Sequence, residues 1–120
     1  MSVDITSRPL SDRLVLLCLV DLELSGATPA HAGRVVRATR TDVDAVEAET
    51  MGRLSEAEVS RTLNRLNADG LAEVADPGDQ SPSGKGRPEY ALAVGPDTVL
   101  DELADDDQVG SLAGRVGEGR

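Results

Sequence analysis

Between residues 55 and 94 the chain reads SEAEVSRTLNRLNADGLAEV, then ADPGDQSPSGKGR, then PEYALAV. Ser55 and Glu58 have the spacing of a capping box, in which the cap hydroxyl accepts the third residue's N–H and the carboxylate returns to the cap's own N–H. Val59, Thr62, Leu63 and Leu66 follow at helical spacing and form one inward stripe. Asp69-Gly70 ends the helix, because glycine is free to take the left-handed conformation. Residues 71–75 then suit a strand and 76–87 a loop rich in Gly, Pro and Ser. Residues 89–94 suit a returning strand with Tyr90, Leu92 and Val94 on one face. A helix that runs straight into a hairpin, with Lys85 and Arg87 at the hairpin's tip, restricts the chain to few folds.

The residues before this segment suit two helices. Ser11 can cap a helix over 11–24, stopped by Ser25-Gly26. Its run LVLLCLV is apolar nearly all round, and such a helix must be buried on more than one side. In a small domain that implies burial against a second subunit, so 11–24 is expected to serve dimerisation. Thr28-Pro29 has the form of a helix start, with Pro in the first turn. Ala32, Val35, Val36, Thr39, Val43 and Val46 then recur at helical spacing, which predicts a second helix over 29–48. After Gly95-Pro96, residues 97–104 suit a short helix with Val99, Leu100 and Leu103 inward, a second candidate dimerisation element. Residues 1–10 are expected to form a loose arm, and 105–120 an acidic, flexible tail. The domain itself spans 11–104.

With one aromatic residue, Tyr90, and no Phe or Trp, the core must be built from Leu, Val and Ala. These bury less area each than aromatics do, and a second subunit would add to it. The chain carries 22 acidic and 12 basic residues among 120, for a formal charge of −10. A basic balance is the usual footprint of nucleic-acid binding. Here the Asp-rich, Ala/Val/Gly-rich composition resembles that of proteins kept soluble in molar salt by an acidic surface. The basic residues are also concentrated, eight of the 12 falling between Arg34 and Arg87. Bound salt ions are therefore expected, screening Glu56, Glu58 and Glu73 from any phosphates nearby.

With the apolar stripe turned inward, the helix at 56–68 presents Glu58, Ser60, Arg61, Asn64 and Arg65. Arg can fork onto guanine O6 and N7, Asn onto adenine N6 and N7, and Ser onto bases or phosphates. The first turns of such a helix go deepest into the major groove. Ser60 and Arg61 are thus expected at bases with Asn64 next, and Arg65 at phosphate. A solvated face of Arg–Glu pairs is the bland alternative. In the loop, Lys85, Gly86 and Arg87 place two cations on a backbone that can approach a phosphate closely; an ordinary solvated hairpin is the alternative.

Helix followed by a basic-tipped ribbon is the winged-helix arrangement. The fold expected is mainly α with a two-stranded β-wing, a winged helix-turn-helix. The motif Lys85-Gly86-Arg87-Pro88-Glu89-Tyr90-Ala91-Leu92 resembles the wing of PadR-type regulators. The segment Val59-Ser60-Arg61 with Leu63, Leu66 and Asp69-Gly70-Leu71 is similar to the recognition helix of PadR and MarR winged-helix repressors. The resemblance covers roughly residues 11–94. In acidity and size the chain resembles a small haloarchaeal regulator of the oxidative-stress-responsive kind. It departs from PadR proteins in having one aromatic in the second wing strand and a C-terminal helix too short for their usual dimerisation helix.

The resemblance implies a homodimeric, sequence-specific transcription regulator on a pseudo-palindromic operator of double-stranded DNA. Ser60, Arg61 and Asn64 would lie in the major groove and Lys85, Gly86 and Arg87 at the wing contact. The alternative from another class is a winged helix used for protein–protein contact in a transcription or chromosome complex. No enzyme and no cofactor are expected. His31, the only histidine, has no carboxylates at helical spacing to build a metal site. Cys18 sits in the apolar run and is expected to be a small core residue. No signal-peptide pattern opens the chain and the longest apolar run is too short to span a bilayer. A cytoplasmic protein without membrane contact is expected.

Overall fold

A computed structural model describes residues 5–42, 55–74 and 88–118. Among these the chain is mainly helical, with five helices and one small antiparallel sheet. In chain order the elements are α1 (Leu10–Leu24), β1 (Ala30–His31), α2 (Ala32–Asp42), α3 (Glu56–Ala68), β2 (Ala72–Val74), β3 (Glu89–Leu92), α4 (Pro96–Leu103) and α5 (Gly110–Glu118).

α1 is the centre of the molecule. Leu14 through Val20 are all buried, Cys18 among them. α2, α3, α4, α5 and β3 all pack on it. The apolar circumference that pointed to a second subunit is therefore covered within one chain. Each fully buried Leu or Val there contributes about 1.5–3 kcal/mol relative to exposure. The helix starts one residue earlier than expected. Pro9, not Ser11, is the cap residue, and its carbonyl accepts the N–H of Asp12 at 3.0 Å and of Arg13 at 3.2 Å.

α1 and α3 end alike. Gly26 and Gly70 take φ of 75° and 82°. Beyond each, a 6→1 bond closes the end, Ala27 N–H to Leu22 O at 2.7 Å and Leu71 N–H to Leu66 O at 2.9 Å. A left-handed residue is what this closure needs. In α3 it turns the chain directly into β2.

The start of α2 differs from expectation. Thr28-Pro29 is a cis peptide bond in the connection, not a first helical turn. Ala30 and His31 form a strand that pairs with Tyr90 and Glu89, so helix cannot begin before Ala32. The His31 Nδ1 accepts the Arg34 N–H at 3.2 Å and caps α2, the part usually played by Ser or Asp. Of the helix expected over 29–48, residues 43–48 lie outside the described residues. The sheet order is β1-β3-β2, both pairs antiparallel, with Val74 and Ala30 facing Tyr90 from either side.

The described residues toward both ends of the chain are more ordered than their composition suggests. In the expected loose arm, Ile5 is fully buried and Arg8 is ion-paired to Asp12. In the expected flexible tail, Val109, Leu112, Ala113 and Val116 are buried, and α5 packs on α1 and α4. Those four positions are a helical stripe inside a Gly- and Asp-rich stretch. Gly110 is required there, since a Cβ would stand 2.9 Å from the Ala104 carbonyl oxygen. The anchor is Asp106, whose carboxylate accepts both the Gln108 N–H at 2.8 Å and the Val109 N–H at 2.9 Å. Arg13 of α1 pairs with the same carboxylate at 2.7 Å and reaches Gln108 as well.

Burial pushes the Asp106 carboxyl upward, but the two backbone N–H groups and Arg13 together hold it below the ordinary carboxylate range. A carboxyl lowered in the folded state stabilises that state above its unfolded value and loses the contribution as pH falls through the folded one. Wild type should therefore be more stable than Asp106→Asn at neutral pH. The gap should close as pH falls below about 4, the ordinary carboxylate range. Urea melts of both proteins from pH 7 to pH 3 check this, and a gap independent of pH would refute it.

Candidate functional site

The site is built on α3, and its N-terminal cap sets where the helix begins. Ser55 Oγ accepts the Glu58 N–H at 3.1 Å, and the Glu58 carboxylate accepts the Ser55 N–H at 3.2 Å. Both halves of the predicted capping box are present. Glu58 is thereby committed to the cap and is only half exposed. Val59, Thr62, Leu63 and Leu66 are buried against the core, as their spacing predicted. The opposite face carries Ser60 half-buried, with Arg61, Asn64 and Arg65 exposed.

These four side chains have different attachments. Arg61 stands on the exposed face in the second turn, with its guanidinium's planar set of donors. The Asn64 Oδ1 accepts the hydroxyl of Tyr90, which reaches across from β3 at 2.8 Å. Arg65 is held by Asp12 of α1. Its Nε lies 3.1 and 3.3 Å from the two carboxylate oxygens, and its Nη2 bonds the same group. Arg65, expected at phosphate, thus has its Nε and Nη2 engaged within the chain while its side chain stays partly exposed. The reason is Asp12, which is fully buried in α1 and must be paired.

Asp12 has a second cation. Arg8 Nε donates to Asp12 Oδ2 at 2.9 Å, and Arg8 Nη2 pairs with Asp69 at the end of α3. The Arg65 guanidinium is raised above its ordinary range chiefly by its bond to Asp12, against the opposing effect of burial. Burial lowers Arg8, but its bonds to Asp69 and Asp12 outweigh this and the net shift is upward. The network ties the residues before α1, α1 itself and the C-terminal half of α3 into one unit. It fixes how α3 projects from the body.

α2 adds residues that the sequence pattern had not singled out. Arg34, Arg37 and Arg40 are exposed, one every three residues, while Val35, Val36, Ala38 and Thr39 are buried. The same 3.6-residue spacing that gave the apolar stripe contained this basic row on the other side. α2 packs on α3, so the basic row and Arg61 belong to adjoining helices. Lys85, Gly86 and Arg87 lie outside the described residues.

Other features offer little chemistry. A shallow groove of about 290 Å³ between α4 and α5 is lined by Leu100, Ala104, Ala113, Gly114 and Gly117, with Asp101 and Glu118. Among the described residues, no three His, Cys, Asp or Glu side chains gather where a metal ion could be held. Also among them, no helix is long and apolar enough to cross a membrane. No family model, no curated protein and no solved structure matches the chain.

Proposed function

We propose that the chain is a winged helix-turn-helix regulator that binds double-stranded DNA with α3 in the major groove. The observation that carries this reading is the α3 face: a box-capped helix presenting Ser60, Arg61 and Asn64, followed at once by the β2–β3 hairpin. The element order α1-β1-α2-α3-β2-β3, with β1 joining the hairpin's second strand, supports it. So does the basic row on α2, which suits the flanking phosphates. Lys85 and Arg87, which lie between β2 and β3 in sequence, would add a contact. In this reading Arg65 orients α3 rather than touching DNA.

One helix reads few base pairs, so a second copy on a pseudo-palindromic operator is part of the proposal. The two recognition helices would then stand about 34–36 Å apart. A cytoplasmic regulator adapted to high salt is the setting that the acidic composition favours.

Selection from a random duplex library at molar KCl tests this reading. Wild type should enrich a defined sequence, and Arg61→Ala should cost about 1–3 kcal/mol with relaxed preference at one position. The net charge of −10 favours a second reading, a winged helix that docks on protein. Failure to enrich any sequence, at low salt as at high, would decide for that one.

A further inference from the structure

The hydrogen bond from Tyr90 to Asn64 joins two residues 26 positions apart and belongs to no helix or sheet ladder. Tyr90 sits in the central strand, between Ala30 and Val74, and is 4% exposed. Its ring is thus fixed by the core, while its hydroxyl reaches the exposed face of α3. A tyrosine hydroxyl keeps its proton at neutral pH, and burial pushes Tyr90 further in that direction, so it can donate.

An Asn side chain has an oxygen that accepts and a nitrogen that donates two protons. Reading adenine needs both at once, the oxygen accepting from N6 and the nitrogen donating to N7. Here the oxygen is drawn back toward the sheet by Tyr90. The bond takes one of the oxygen's two acceptor sites and ties that end of the amide to the sheet, which favours the nitrogen as the end that donates outward.

We propose that Tyr90 is a positioning residue that makes Asn64 a donor, so that the base it meets is read by an acceptor alone: guanine O6 or N7, thymine O4, or adenine N7 without the paired N6 contact, and not cytosine, whose only major-groove group is a donor. The inference rests on the DNA-binding reading and deepens it by naming the class of base edge recognised. It replaces the two-bond adenine contact that the residue type alone suggests. Specificity at this position then depends on a residue of the sheet that itself stays in the core.

The test has one arm without DNA and one with it. In the free, full-length protein, the Asn64 side-chain amide should show the high NMR order parameter of a restricted group. Tyr90→Phe keeps the ring in the core and removes only the hydroxyl, and it should release that restriction. An Asn64 amide that behaves identically in both proteins overturns the proposal whatever the function. In the second arm, wild type, Asn64→Ala and Tyr90→Phe are each selected against a random duplex library at molar KCl. Asn64→Ala locates the position read. Wild type should exclude cytosine there and show no preference for adenine over guanine, and Tyr90→Phe should relax that exclusion about three- to tenfold, the scale of one hydrogen bond. Preferences elsewhere should stand. A strict preference for adenine over guanine, which needs the oxygen at N6, or acceptance of cytosine at that position in wild type overturns the proposal. So does a Tyr90→Phe profile identical to wild type, or an equal weakening at every position, which marks a merely structural role. Enrichment of no sequence by any of the three proteins removes the DNA-binding reading, and the proposal with it.

Discussion

Replacing both arginines that hold Asp12, Arg8→Ala together with Arg65→Ala, should destabilise the protein by about 3–5 kcal/mol. Asp12 is fully buried, and its carboxylate is held by Arg8 from one side and Arg65 from the other. Taking a charge out of water is tolerable only while it is paired. Either arginine alone leaves one cation in place, so each single change should cost much less. The double change should therefore exceed the sum of the singles, the signature of a shared partner. Adding Asp12→Asn to the double variant should recover part of the loss, because no uncompensated charge then remains. Chemical denaturation of the five proteins measures this. Additive losses totalling under about 1 kcal/mol would show that water, not the arginines, satisfies Asp12, as in ordinary surface pairs. Arg65→Ala alone should also lower affinity for DNA evenly across sequences, since it would loosen the seat of α3 without removing a base contact.

Leu19→Glu should leave no folded protein. The side chain is completely buried at the centre of the only core the described residues form. An unpaired carboxylate there costs on the order of 5 kcal/mol or more, comparable with the whole stability of a small domain at roughly 5–15 kcal/mol. Circular dichroism and light scattering at molar KCl separate the two outcomes that the sequence alone allows. Loss of helical signal fits a helix buried within one chain. A folded monomer replacing a folded dimer would mean that Leu19 lies between subunits, and would overturn the packing described. Leu16→Glu should behave in the same way, for the same reason.

Local chemistry made much of the molecule legible. Ser55 and Glu58 marked the start of α3, Gly70 its end, and Val59, Leu63 and Leu66 its buried face, because caps and periodicity act over a few residues of chain. The hairpin strands followed from alternation around Tyr90 and Leu92. The same rules give the exposed α3 face, and the same period puts Arg34, Arg37 and Arg40 opposite the apolar stripe of α2. Where short-range signals misled, a distant partner decided. Thr28-Pro29 looked like a helix start, but pairing with β3 made the next two residues a strand. The Gly- and Asp-rich end looked disordered, but Arg13, 93 residues before Asp106, gives it an anchor. The apolar circumference of α1 was correctly read as burial on several sides. Whether those sides met the same chain or another could not be told from periodicity, which records that a face is covered and not by what. Arg65 and Asn64 show the same limit at the site. Residue type and helical position determine what a side chain can bond. Asp12, 53 positions away, and Tyr90, 26 away, determine what it does bond, because only the packing of α1 and β3 against α3 brings those partners within reach.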